Sequence, residues 1–255
     1  MFIDSHCHIN FPELADNLDE VLATMRANQV SDALCVSVDL EKFPQILALA
    51  EQHENIYASV GVHPDYELEA EPTQEELVRL AKHHKVIAIG ETGLDYFRLT
   101  GDLEWQRKRF RTHIRAAVES GKPLIIHTRS ASADTLRLMQ EEGADKIGGV
   151  MHCFTESLEV ALAAIEMNFY ISFSGIVTFK KALELKEVAT RIPLERMLIE
   201  TDSPYLAPVP FRGKLNQPGY VKHVAEEIAK LRGISVEEVG SATSANFVKL
   251  FNIIK

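Results

Sequence analysis

Cysteine is scarce in this chain. Cys7, Cys35 and Cys153 are the only three in 255 residues, an odd count that excludes a disulfide framework and points to reduced thiols. Long hydrophobic runs are missing as well, so no membrane span is expected. Met1 passes straight into Phe2-Ile3-Asp4-Ser5-His6 with no basic and apolar leader, and the expectation is a cytoplasmic protein without a secretory signal. Positive charge is also in deficit. Against 37 Asp and Glu stand 27 Lys and Arg, a formal net charge of -10, which excludes broad electrostatic capture of nucleic acid, because non-specific affinity comes from cations that neutralise phosphates. A nucleic-acid substrate held locally by divalent cations and a few Arg or Lys stays open. No internal repeat or low-complexity segment stands out, and nothing marks an obligate protein partner.

What is present is the composition of an ordinary globular protein, 46% hydrophobic and 25% charged, at a length close to the roughly 250 residues of a closed β/α barrel. Eight short apolar or β-branched runs punctuate the chain. They begin at Met1-Phe2-Ile3-Asp4, Ala33-Leu34-Cys35-Val36, Tyr57-Ala58-Ser59-Val60, Val86-Ile87-Ala88-Ile89-Gly90, Leu124-Ile125-Ile126-His127, Gly149-Val150-Met151-His152, Tyr170-Ile171-Ser172-Phe173 and Met197-Leu198-Ile199-Glu200. Between them lie helical stretches such as 157–167 and 104–120, in which Trp105, Phe110, Ile114, Ala117 and Val118 recur at helical spacing. Strand–helix alternation implies parallel pairing. With no Gly-rich phosphate loop after the first run, a closed (β/α)8 TIM barrel is favoured over an open doubly wound sheet. The expected organisation is one domain over residues 1–255, with an extra C-terminal helix at 236–251 and a Pro-rich loop at 203–218 that reads as an active-site loop or as a simple spacer.

His6 and His8 are two apart on the first strand, so both imidazoles point to one face and Cys7 to the other. Glu91, His127, His152 and Asp202 fall at the ends of other expected strands. A barrel gathers the C-terminal ends of its strands into one mouth, which makes these six residues a single polar cluster, although a hydrogen-bonded histidine or a solvated carboxylate is the alternative at each position alone. Four imidazoles and two carboxylates exceed what one tetrahedral ion takes and suit two divalent cations such as Zn²⁺, Mn²⁺ or Mg²⁺. His63, at the end of the third run, faces the same mouth and reads as a substrate contact, with a structural hydrogen bond as the alternative. His53, His83, His84, His113 and His223 sit in helical stretches and are expected at surfaces or helix ends.

The blocks Asp4-Ser5-His6-Cys7-His8, Gly90-Glu91-Thr92-Gly93-Leu94-Asp95-Tyr96, His127-Thr128-Arg129, His152-Cys153-Phe154 and Glu200-Thr201-Asp202-Ser203-Pro204-Tyr205-Leu206 resemble the signature blocks of the TatD-type deoxyribonucleases, in the family's order and along the whole chain. The resemblance implies a TIM barrel of the amidohydrolase superfamily, dependence on divalent metal, and hydrolysis of DNA phosphodiesters, often from the 3′ end, with single strands favoured. It implies one metal with His6, His8 and Asp202, a second with His127 and His152, and Glu91 as the bridge, in the place where several barrel amidases use a carboxylated lysine. Asp95 looks like the family's substrate-contact or supporting aspartate.

Two cations sharing a water lower its pKa and steady an in-line phosphoryl displacement. Asp202 is then expected to act as general base besides ligating, with Glu91 as the other catalytic carboxylate. Arg129, two residues after His127, can grip a phosphate oxygen, and Glu200 is expected to contact substrate or orient the site. Arg98, Lys180, Lys181, Arg212 and Lys214 are candidates to guide a strand, and Phe97, Tyr205 and Phe211 to stack on bases. The competing readings are a metal-dependent esterase or amidase acting on acyl-tRNA, a lactone or another small substrate, and a non-catalytic metal-binding scaffold.

Overall fold

The computed structural model describes residues 1–97, 99 and 101–253. Arg98 lies outside them. Eight parallel strands follow one another in chain order: β1 (Phe2–Cys7), β2 (Val30–Cys35), β3 (Ile56–Val60), β4 (Val86–Asp95), β5 (Leu124–Arg129), β6 (Gly149–Met151), β7 (Phe169–Phe173) and β8 (Met197–Ile199). The helices are α1 (Pro12–Ala15), α2 (Leu18–Ala27), α3 (Phe43–Gln52), α4 (Gln74–Ala81), α5 (Glu104–Ser120), α6 (Ser132–Glu141), α7 (Leu158–Glu166), α8 (Leu183–Arg191), α9 (Val221–Arg232) and α10 (Val236–Leu250). All eight apolar runs are strands, and the expected (β/α)8 barrel is the architecture observed. None of these helices is long and apolar enough to cross a membrane, and the three cysteines are unpaired.

Two apolar layers hold the barrel together. One lies between strands and helices and includes Phe110, Ile114, Phe154 and Phe169. The other fills the barrel interior at its N-terminal end, where Ile3, Leu34, Ile87, Ile125, Val150 and Leu198 pack with Phe247 and Phe251. Those two phenylalanines come from α10 and the residue that ends it, so the C-terminal helix closes the bottom of the barrel. Ser235 starts α10 with a reciprocal capping box to Glu238, which satisfies two otherwise unpaired N–H groups.

Helix α5 departs from the expected apolar stripe. Trp105 is half-buried and Val118 is exposed, while Gln106, Arg109 and His113 are fully covered. The helix buries polar groups because the loops after β3 and β4 need hydrogen-bond partners. Gln106 accepts from the N–H of Asp95 and donates to its carbonyl. Arg109 forks onto Glu71 at 2.6 Å through two nitrogens and also donates to the carbonyls of His63 and Tyr66. His113, expected at a surface or helix end, is buried and accepts from the N–H of Val62 at 3.1 Å.

Candidate metal centre

The barrel closes between β8 and β1, and this seam positions half of the polar cluster. The N–H of Asp202 donates to the carbonyl of His6 at 2.9 Å, and the N–H of His8 donates to the carbonyl of Ser203 at 2.8 Å. Asp202 has φ 55°, a left-handed conformation that costs about 1–3 kcal/mol in a non-glycine residue and recurs at functional sites. Asp4 supports the turn from below: its carboxylate accepts from the N–H of Thr201 at 2.8 Å and from the Thr201 hydroxyl at 2.5 Å. The buried Asn216 donates to the carbonyls of Thr201 and Tyr205, tying the Pro-rich loop to the same turn.

Glu91 does not end its strand, as expected from sequence, but sits midway along β4, where pairing with β5 slips between Ile89 and Thr92. Its N–H donates to the carbonyl of Ser37, in the segment after β2, at 2.9 Å. Gly90 has φ 142°, and a Cβ there would lie 2.6 Å from the Ile125 carbonyl oxygen; only glycine allows the slip that turns Glu91 inward. A Cβ on Gly93 would overlap the His127 carbonyl, so this second glycine lets β4 and β5 approach closely enough to bring His127 to Glu91.

All six residues expected as ligands converge. Glu91 Oε2 lies 3.3 Å from His6 Nε2, while Glu91 Oε1 lies 3.2 Å from His127 Nδ1 and 2.8 Å from His152 Nε2. The two oxygens of one carboxylate thus face two different imidazole sets. Asp202 Oδ1 is 3.4 Å from His8 Nε2 and 3.7 Å from His6 Nε2. His6, His8, Glu91 and His152 are buried. Two of the imidazole nitrogens, His6 Nε2 and His8 Nε2, face each other at 3.3 Å, and His152 Nε2 is enclosed against Glu91 Oε1. Lone pairs turned inward on one another, with carboxylates between them, are a donor set suited to cations.

The outer nitrogens of these histidines support that reading. His8 Nδ1 is 3.1 Å from the Val36 carbonyl, His152 Nδ1 is 3.1 Å from Glu200 Oε1, and His127 Nε2 is 3.0 Å from Asp95 Oδ2. An acceptor behind each of these three rings puts the proton outward and the lone pair inward, as in metal-binding histidines; His6 Nδ1 is buried without such a partner. His63 differs. Its Nδ1 accepts from the N–H of Asp65 at 3.1 Å, so the neutral ring carries its proton on Nε2, 3.4 Å from Glu91 Oε1. Although His63, Glu91 and His127 are close enough to surround an ion, this tautomer makes His63 a donor into the site.

Charge follows the same geometry. Burial alone would raise the Glu91 carboxyl, but His152, His63 and His6 outweigh it and hold the group well below the usual range. Burial likewise opposes a charge on His152, yet Glu91 and Glu200 hold its pKa well above normal. His63, largely desolvated and beside other imidazoles, is pushed down to about 3 and stays neutral. Asp202 is desolvated, but its bond to His8 and the charges of His6 and His152 keep it low.

Other expected contacts fall less uniformly. Asp95 stands behind His127 and also accepts from the N–H of Phe97. Glu200 is 0% exposed and accepts from the N–H of Cys153 as well as facing His152; it is out of a substrate's reach and positions His152. Arg129 stands half-buried at the mouth with its guanidinium 3.8 Å from the Phe97 ring. Phe97 is 61% and Tyr205 54% exposed, whereas Phe211 is stacked on Tyr220 with ring centroids 4.0 Å apart and offers at most one free face. Sequence reasoning gave no role to Asp4, Gln106 or Arg109. Asp4 had a signal, since strand alternation places it on the face of His6 and His8.

Residues 3–252 match the family model of the TatD related DNases. The chain belongs to the TatD family. Over 254 residues it is 45% identical to YcfH of Escherichia coli K12, named an uncharacterized metal-dependent hydrolase, covering 98% of this chain and 96% of that one. It is 31% identical to the protein of Salmonella typhimurium named 3'-5' ssDNA/RNA exonuclease TatD, covering 98% and 99%. Among solved structures, the TatD homolog YJJV of Escherichia coli K12 superposes with a TM-score of 0.91 at 29% identity, covering 99% of this chain and 98% of that one. This TatD-family chain therefore combines its relatives' barrel with a mouth in which four histidines and two carboxylates meet.

Proposed function

We propose that this TatD-family hydrolase cleaves DNA phosphodiesters from a strand end, preferring single strands and using two divalent cations drawn from Zn²⁺, Mn²⁺ or Mg²⁺. The observation that carries the reading is the Glu91 carboxylate, one oxygen toward His6 and the other toward His127 and His152. A carboxylate so placed suits a bridge between two ions, with His6, His8 and Asp202 on one side and His127 and His152 on the other. The relative named as a single-stranded DNA and RNA exonuclease supports the substrate class.

Bound cations would polarise the phosphodiester and acidify a water. The residues of the chain supply the rest. Asp202, ionised at neutral pH, takes the proton of the attacking water as general base. His63 donates its Nε2–H to a non-bridging phosphate oxygen, because its other nitrogen is already occupied by the Asp65 N–H. Arg129, braced over the Phe97 ring, turns its N–H edge to the same phosphate. Glu200 and Asp95 hold His152 and His127 at fixed angles.

The test is nucleotide release from end-labelled single-stranded DNA with Mg²⁺ or Mn²⁺, with chelator, and with Asp202→Asn. Metal-dependent shortening from the 3′ end, reduced about 10³-fold in the variant, is expected. Intact DNA under every metal, with turnover of a carboxylic ester or amide instead, would hand the site to carbonyl chemistry.

A further inference from the structure

The rim around the metal centre is charged unevenly. Residues 61–73, which join β3 to α4, carry Asp65, Glu67, Glu69 and Glu71 and neither Lys nor Arg. Glu67 and Glu69 are exposed, and Glu71 is taken up by Arg109. On the other side, residues 174–182 after β7 carry Lys180 and Lys181 and no carboxylate, and residues 203–220 after β8 carry Arg212 and Lys214 and no carboxylate. Glu156 and Glu184 border this basic sector, so it is confined to the β7 and β8 loops.

These four cations also differ from the arginines of α5 and α6. There Arg107, Arg109, Arg111, Arg115 and Arg137 each lie within 4.0 Å of a carboxylate. Among the described residues, Lys180, Lys181, Arg212 and Lys214 form no ion pair. All four are exposed, and two are braced by aromatic rings, Arg212 at 4.2 Å from Phe179 and Lys214 at 6.0 Å from Phe211. The two loops act as one surface, because the N–H of Val209 donates to the Thr178 hydroxyl at 2.9 Å.

An aromatic route links this surface to the metal centre. His8 is stacked on Phe11 at 4.9 Å, and Phe11 meets Tyr205 edge-on at 6.4 Å. Tyr205 opens to solvent at the head of the loop that carries Arg212 and Lys214. Exposed rings beside unpaired cations are what a single strand needs, since bases stack on the rings and phosphates meet the charges.

We propose that a single DNA strand crosses the mouth in one direction, running from the metal centre past Tyr205 onto the β7–β8 rim, with its phosphates at Lys180, Lys181, Arg212 and Lys214. The acidic β3 loop faces the opposite side and disfavours a continuing polyanion there, which leaves that side to the short end being removed. This path rests on the nuclease reading above and places the cleaved bond near one end of the strand.

The experiment compares two substrates, a twelve-nucleotide oligo-dT and bis-p-nitrophenyl phosphate, a small diester too short to reach the rim. The variants are Lys180→Glu with Lys181→Glu, and Arg212→Glu with Lys214→Glu. Each pair is expected to lower the ratio of kcat/KM for the oligonucleotide to that for the diester at least tenfold. The slope of log KM for the oligonucleotide against log salt should become shallower by roughly 1.4, about 0.7 for each lost phosphate contact on a single strand. A wild-type enzyme that digests oligo-dT, with both variant ratios and both salt slopes unchanged, would overturn the strand path while sparing the nuclease reading. A wild-type enzyme that hydrolyses the diester but neither binds nor cleaves oligo-dT would overturn both.

Discussion

The two ends of the barrel are built from the same strand faces and do opposite work. On β5 and in the β6 unit, Ile125 and Val150 point into the apolar plug, and two residues later His127 and His152 point into the metal centre. In the β8 unit the same step leads from Leu198 to Glu200 and then Asp202. At the bottom, α10 inserts Phe247 and Phe251. At the top, His8 stacks on Phe11, and the other positions are fixed by hydrogen bonds to Asp4, Glu200, Asp95 and α5. A closed barrel can therefore concentrate stability at one end and tolerate mutual repulsion, left-handed backbone and buried charge at the other.

That division can be broken from either end. Glu91→Ala is expected to have the largest effect, a loss of turnover on the order of 10³-fold, with the far-UV circular dichroism of the metal-free protein retained. Phe247→Ala should do the reverse, costing about 3–5 kcal/mol and lowering Tm by roughly 6–20 °C. Its activity per folded molecule well below Tm should stay near the starting value; a proportionate loss of kcat there would show that the two ends are coupled.

Glu200→Gln and Asp95→Asn leave the metal-facing atoms in place and loosen the rings behind them, so a loss of about 10–100-fold in metal affinity is expected for each by isothermal titration. Unchanged affinity in both would remove their positioning role. Metal binding should also release protons. His8, His127 and His152 have pKa values raised in the folded chain by neighbouring carboxylates, against the effect of burial, and cations compete with those protons. Affinity should accordingly climb from pH 6 to pH 8, and an affinity independent of pH would contradict the histidine assignment. In the metal-free protein the raised values stabilise the fold fully below the unfolded pKa of about 6.5 and lose that contribution as pH rises through the folded values. Its Tm should then be lower at pH 9 than at pH 6.

The smallest effect belongs to the far side of the bottom plug. Ser235→Ala removes the capping box of α10 at an expected cost of about 1 kcal/mol, measured by urea unfolding, with no change in kcat/KM.

Much of this division was legible in the sequence. All eight strands were, because each is a short apolar run between amphipathic stretches, and so was the convergence of His6, His8, Glu91, His127, His152 and Asp202, because barrel geometry turns strand ends into neighbours. What was not legible depends on side chains that meet across the fold. Glu200 read as contacting substrate or orienting the site, since two-residue alternation gives a face but no depth, and in the structure it lies beneath His152. His113 read as peripheral, and Arg109 was passed over, because the stripe on α5 was drawn through apolar residues; no local pattern shows that the loops after β3 and β4 lack partners of their own. Glu91 read as a strand end, because the slip in β4 pairing depends on contacts between Gly90, Gly93 and β5.

The central claim is that Glu91 joins two cations at the top of the barrel. The most direct measurement is metal content per chain, by inductively coupled plasma mass spectrometry, after equilibration with Zn²⁺ or Mn²⁺ and removal of free ion. Two ions in the wild-type protein, falling to one or none in Glu91→Ala, is the expected result. A single ion in the wild type, retained in the variant, would contradict the account.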